Sequence, residues 1–404
     1  MRNESSLQRV RLNEVAEVNP ESLPQNTSGD YTFTYVDLSA VSRGVIDWSA
    51  TKRVAFRFAP SRARRKVLRG DCLFGTVRPS QQSHGSVDRD LDDLIVSTGF
   101  AVLRPHKGCI DSRFLHHWIL SDIALRQAEN AAVGSNYPAV NEADVGSFIL
   151  DLPSLPEQRR IAEILDALDN QIKAGEKLVE KQLQIKQGLL EDLSREAYSD
   201  NNLVTLAELS ELITSGSRSW AQYYSETGAL FIRVGNLTRE HINLLLEEVV
   251  YVEPPRGTEG ARTALRPGDV LISITADLGI IGVVPEGLGE AYVNQHISLV
   301  RPRPHVNPRW VGHMLASEQG QRQFKIANDA GAKAGLNLSA IGRIHVPLPP
   351  RATQDKIAAL LDEQDYALRQ QRVELEKLRL LKQGLMNDLL TGRVRVPVGA
   401  ADGE

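Results

Sequence analysis

Cysteine is nearly absent. Among 404 residues there are two, Cys72 and Cys109, too few for a disulfide framework or for a zinc site of their own. Aromatic residues make up 5% of the chain, which argues against broad base-stacking platforms. No apolar run approaches the ~18 residues that a membrane span needs. The opening stretch MRNESSLQRVRLNEV carries charges where a secretory leader needs its apolar segment. A cytoplasmic protein with no membrane partner is expected. Chemistry-bearing motifs are missing too. No GxxxxGK[ST] loop occurs to hold ATP, and no HExxH or paired CxxC occurs to hold a metal. The nine histidines are scattered. His116 and His117 are neighbours on a helical stretch and point to different faces, so they read as packing or surface groups. No catalytic residue, metal or cofactor is expected on this chain.

What is there begins with size. A chain of 44.6 kDa with 42% hydrophobic and 24% charged residues is globular and too long for one ordinary core. Its net charge of −4 excludes a surface coated with positive charge, but a local basic face remains possible.

The chain is also written twice. LPSLPEQRRIAEILDALD from Leu152 returns as LPPRATQDKIAALLDEQD from Leu348, an offset of 196 residues that holds without a gap for about forty residues. Gln158 meets Gln354, Leu165–Asp166 meets Leu361–Asp362, and Lys186–Gln187–Gly188–Leu189 meets Lys382–Gln383–Gly384–Leu385. Fainter echoes lie between. LRGDCLF at Leu68 resembles LRPGDVLI at Leu265, and Asn141 and Gly146 recur as Asn337 and Gly342.

Both repeated segments read as long helices. Ile161, Leu165, Leu168, Ile172, Leu189 and Leu193 in the first, and Ile357, Leu361, Leu368, Leu375, Leu385 and Leu389 in the second, fall on one grid of three- and four-residue steps. That grid is a coiled-coil seam. The stretches between the helices alternate short β-rich runs with helical segments and suit mixed α/β (α+β) domains. The expected order is a domain over 1–151, a helix over 152–198, a second domain over 199–347, a helix over 348–394 and a flexible tail over 395–404. Paired antiparallel, the helices form a coiled coil with a globular domain at each end and an internal pseudo-two-fold. Two unlike domains so related suit an asymmetric target in two parts, such as half-sites on duplex DNA. The two similar helices suit two copies of one partner.

Basic clusters support that target. Lys52, Arg53, Arg57, Arg62, Arg64, Arg65, Lys66 and Arg69 fall in one run with no acid among them, the pattern of phosphate contact. Base reading requires polar forks on exposed loops. Arg78, Gln81 and Gln82, beside His84, lie in GTVRPSQQSHG. Ser135, Asn136 and Tyr137 lie in GSNYPAVN, and Ser217, Arg218, Trp220 and Gln222 in TSGSRSWAQYY.

The order variable–helix–variable–helix, with LPEQRRIAEILDALD, KQGLLEDL, TQDKIAALLDEQD and KQGLMNDLLTGRVRV, resembles the specificity subunit of Type I restriction–modification enzymes. TSGSRSWAQ, FIRVGNLT and LRPGDVLISIT resemble its recognition motifs. The resemblance implies two target recognition domains in tandem, each reading half of a bipartite site in double-stranded DNA. It also implies that the helices set the spacing and bind two modification subunits, which carry S-adenosylmethionine and methylate adenine. Restriction subunits with ATP and Mg would complete the complex, and this chain would be non-catalytic. The rival reading is a coiled-coil scaffold that holds two proteins and no nucleic acid.

Overall fold

The computed structural model describes residues 7–134, 136–200, 202–216, 220–254, 258–329 and 335–397. Two helices dominate, Leu155–Ser199 and Arg351–Leu389. Neither has an interior proline, and their glycines, Gly175, Gly188 and Gly384, leave the backbone hydrogen bonds intact. The chain divides into two compact units: residues 1–175 with 374–404, and residues 176–373. Each unit holds one globular domain, part of its own long helix and part of the other.

In the first unit, strand Gln8–Arg11 pairs antiparallel with Ile149–Leu152, so the domain's two ends meet at the start of the long helix. An antiparallel sheet runs in the order Ala16–Val18, Phe100–Pro105, Cys72–Gly75, Gly85–Ser86. A second sheet runs Lys52–Ala55, Thr32–Val36, Leu94–Ser97, Ala63–Lys66, with 94–97 parallel to 32–36. The second unit repeats the plan. Leu203–Thr205 pairs with His345–Pro347. One sheet runs Ser210–Ser215, Ile297–Pro302, Val270–Ser273, Ile281–Val283. The other runs Tyr224–Ser225, Tyr251–Val252, Ala229–Ile232, Ala291–Val293, again with one parallel pair.

The tight turns before strands Cys72–Gly75 and Val270–Ser273 explain one faint echo. Gly70 and Gly268 hold φ of +91° and +84°, a left-handed conformation that glycine adopts without steric cost. The carboxylate after each closes the turn. Asp71 accepts the Leu68 N–H at 2.9 Å and pairs with Arg104, while Asp269 accepts the Arg266 N–H at 2.7 Å and pairs with Arg301.

The seam is partly as the grid expects. Ile161, Leu165, Leu168 and Ile172 are buried, as are Leu361, Leu368, Leu375 and Leu389. Ile357 and Leu385 are half-buried against the domain cores. Leu189 and Leu193 are a correction. Both are half-buried, and the inward positions beside them are Lys186, Leu190 and Ser194. A helix of 3.6 residues per turn drifts about 20° per heptad away from a 3.5-residue grid. Here it follows the second domain's core in steps of four.

Candidate nucleic-acid interface

Each domain is seated on the long helices by a polar network buried under its largest side chains. In the first unit, helix Ser112–Ile119 begins at Asp111, whose carboxylate accepts the N–H groups of Arg113 and Phe114. The Asp111 N–H donates to Gln158 Oε1 at 2.8 Å, and the Gln158 amide donates to the Pro153 carbonyl at 2.9 Å. One turn along, His117 Nε2 lies 2.7 Å from Asp166 Oδ1, and Arg113 reaches the same carboxylate at 3.4 Å. Phe114, Leu115 and Trp118 share a core with Ile161 and Leu165.

The second unit repeats this network. Asn307 caps helix Pro308–Ala316 and donates its N–H to Gln354 Oε1 at 2.9 Å. His313 Nε2 lies 2.7 Å from Asp362 Oδ1, and Arg309 binds the same carboxylate with two nitrogens. Burial raises the Asp362 pKa, but its bonds to His313 and Arg309 outweigh that and hold the carboxyl below its ordinary value. Burial pushes His313 down, against the pull of Asp362. These are the histidines and carboxylates that the repeat left without a role. His117, fully buried, joins domain to helix.

A second pair joins helix to helix within each unit. Lys382 Nζ meets Asp169 Oδ1 at 2.5 Å, and Gly175 lies beside Leu375, so residues 155–175 run antiparallel to 374–389. In the second unit Lys186 is paired with Asp365 and also donates to the Glu240 carbonyl at 2.5 Å. His313, Asp362 and Asp365 place ligand-type atoms within 4.8 Å of one another, as a metal site would. Arg309 and Lys186 already supply both carboxylates with a cation, and the cluster is an internal ion-pair network.

The loops chosen from sequence lie elsewhere in the fold. In the first unit two of them converge. Val77 and Val133 both bridge to Ala139, and the Arg78 N–H donates to the Pro138 carbonyl at 2.7 Å. The Arg78 guanidinium lies 4.3 Å from the Tyr137 ring centroid and donates to the Asn136 carbonyl at 3.4 Å. Tyr137 is 69% exposed. Gln81 is exposed and Gln82 half-buried at the end of the short helical turn Pro79–Gln81. His84 is a correction. It stacks on Phe74 at 4.0 Å, accepts the Gly75 N–H at 2.9 Å, and burial pushes its pKa down to about 3. It is a neutral core group.

Ser135, Ser217 and Arg218 lie outside the described residues, as do residues 398–404 of the tail. Gln222 is exposed. Trp220 is the second correction. It is 2% exposed and stacks on Phe231 at 5.7 Å, with Tyr292 and Tyr223 around it. A lone tryptophan in a polar run reads as a surface group until the strand that carries Phe231 is brought over it.

The basic run is one stretch in sequence and two places in the fold. Lys52 and Arg53 sit on one edge strand of the four-stranded sheet, and Arg64, Arg65 and Lys66 on the opposite edge. Three strand spacings of ~4.8 Å, roughly 14 Å, separate them. Acids absent from the run enter by tertiary contact: Asp30 at Arg57, Asp37 at Arg62 and Glu142 at Arg65. Arg64 lies over Phe56. Lys52, Arg53, Lys66 and Arg69 have no ion-pair partner among the described residues, and of these Lys66 alone is half-buried.

A family model described as the Type I restriction modification DNA specificity domain matches residues 72–182 and 199–377. The chain is 24% identical over 358 residues to the putative type I restriction enzyme MjaX specificity subunit of Methanocaldococcus jannaschii, covering 83% of this chain and 80% of that one. Among solved structures, a chain from a study of assembly and conformational transition in the type I R-M system is 26% identical with a TM-score of 0.65. The match covers 96% of this chain and 98% of the other. The HsdS subunit of Thermoanaerobacter tengcongensis is 25% identical with a TM-score of 0.54, covering 97% and 98%.

Proposed function

Since the chain belongs to the Type I restriction modification DNA specificity family, we propose that each of its two domains reads one half of an asymmetric, two-part DNA target. The chain is the specificity subunit of such a system. Its long helices act as an antiparallel coiled coil that sets the gap between half-sites and docks two modification subunits. Those subunits carry S-adenosylmethionine and methylate adenine, restriction subunits bring ATP and Mg, and this chain contributes recognition without catalysis in the cytoplasm.

The observation that carries this reading is the duplicated seating network. Gln158 and Gln354, His117–Asp166 and His313–Asp362, and Asp169–Lys382 and Asp365–Lys186 recur at the 196-residue offset. Both halves are therefore built on the same buried joint, so a partner that docks on the helix surface of one half meets a similarly built surface on the other. The loops above that frame differ between the domains, as readers of unlike half-sites must.

The test is a domain exchange. Replacing residues 20–145 with the matching domain of a relative is expected to change one half of the methylated motif and leave the other half and the gap intact. Adding whole turns after Gly175 and after Gln371 is expected to lengthen the gap, at ~1.5 Å per residue, with both half-sites kept. A domain exchange that alters both halves would overturn the proposal.

A further inference from the structure

The two domains share a backbone turn but not the side chain it presents. Three residues beyond the end of strand Cys72–Gly75 stands Arg78, with φ of +49°, and three beyond Val270–Ser273 stands Ala276, with φ of +59°. The same cross-connection anchors both turns: the Val140 N–H donates to the Thr76 carbonyl and the Leu336 N–H to the Ile274 carbonyl, each at 3.0 Å. A left-handed conformation is uncommon for residues other than glycine, and a long side chain gains nothing from it locally. The fold tolerates alanine there, so the arginine of the first domain serves something other than the turn.

Its surroundings say what. The guanidinium lies over the Tyr137 ring at 4.3 Å, one N–H reaches the Asn136 carbonyl at 3.4 Å, and no carboxylate pairs with it among the described residues. A guanidinium that meets a ring through its face keeps the N–H donors of its edge for other partners. The neighbours are exposed: Tyr137 at 69%, Val133 at 79% and Val77 at 37%. Several other arginines of this domain are committed to carboxylates, Arg104 to Asp71 and Glu21, Arg62 to Asp37 and Arg113 to Asp166. An unneutralised fork of N–H donors, half-buried among exposed neighbours, matches the O6 and N7 acceptors that guanine presents in the major groove.

We propose that Arg78, seated over Tyr137, reads a guanine in the half-site recognised by the first domain, and that Tyr137 acts as its positioning residue. This rests on the reading of the chain as the recogniser of a two-part DNA target. Ala276 carries no side-chain donor, so the corresponding turn of the second domain offers no such guanine contact.

The experiment uses the full chain co-expressed with its modification subunit, reading the methylated motif across the host genome and binding of the wild-type site and its single-base variants. Arg78→Ala installs the residue that the second domain already carries on the same turn. It is expected to lower discrimination for one G·C position of the first half-site by about 5- to 150-fold. The second half-site and the gap stay unchanged. Arg78→Lys, which keeps the charge without the fork, is expected to relax the same position while retaining the salt dependence of binding. Tyr137→Ala weakens discrimination there, and Tyr137→Phe restores it. A bipartite motif unchanged by Arg78→Ala overturns the proposal and leaves the two-part reading standing. So does a uniform weakening on all sequences with the salt slope reduced by about 0.9, the mark of a phosphate contact. A wild-type motif without two parts removes the premise, and the proposal falls with it.

Discussion

The contacts that seat each domain on the long helices recur nearly residue for residue, whereas the turns leaving strands Cys72–Gly75 and Val270–Ser273 carry different side chains on the same backbone. Burial accounts for the contrast. His117 and His313 are 0% and 2% exposed, and Gln158 and Gln354 are 1% and 2% exposed. Changing one partner there leaves a buried polar group with nothing to bond, which costs about 1–3 kcal/mol, and more for a charge. An exposed turn can exchange arginine for alanine with little effect on folding. Two copies of one frame can therefore keep their joints alike while their outer faces diverge.

Repetition of a contact does not make its two copies equally strong, and the lysine–aspartate pairs offer the largest test. Lys186 and Asp365 have side chains 9% and 1% exposed, while Lys382 and Asp169 are 19% and 27% exposed. Lys186→Ala strands a buried carboxylate and is expected to destabilise the chain by about 3–5 kcal/mol in denaturant titration. Lys382→Ala leaves Asp169 within reach of water and is expected to cost about 1.5–3 kcal/mol. Equal destabilisation, or the reverse order, would show that burial does not separate the copies.

Acid sharpens the comparison next. His84 of the first unit stands where the second has Ile281, each opposite the strand that leads into the divergent turn. Burial pushes the His84 pKa down to about 3, so folding requires the neutral ring. The unfolded chain takes up the proton below about pH 6.5. The His84 contribution is thus complete above that pH and falls as pH drops towards 3, by up to about 1.4 kcal/mol per pH unit. Hydrogen exchange between pH 6.5 and 4 is expected to show His84→Asn flattening the acid slope of residues 72–103, while 270–300 keep the slope that buried His313 gives them. An equal change of slope in both would break the contrast.

The smallest effect divides the basic run itself. Lys52, Arg53 and Arg69 lack carboxylate partners among the described residues. Ala substitution of each one that meets a phosphate is expected to reduce the slope of log affinity against log salt by about 0.9. The same change at Arg57, Arg62 and Arg65, already paired with Asp30, Asp37 and Glu142, is expected to reduce it less. An identical reduction for the two sets would mean that the ion pairs open on binding.

Periodicity and repetition made the long helices legible, because a buried stripe every three or four residues is written directly into the order of Leu and Ile. The offset of 196 residues likewise singled out Gln158 with Gln354 and Lys186 with Lys382 before their partners were known. Sequence alone also placed Arg78 and Tyr137 among polar loop residues. It did not bring them together, since fifty-nine positions separate them and no local rule links two loops that meet through Val77, Val133 and Ala139. Tertiary structure alone decided three further matters. It buried Trp220 and His84, it split the run from Lys52 to Arg69 between opposite edges of a sheet, and it supplied the acids that neutralise part of that run. The reason is common to all three. Helical burial depends on neighbours three and four residues away, while strand pairing, ion pairing and exposure depend on residues that the chain brings back from far along its length.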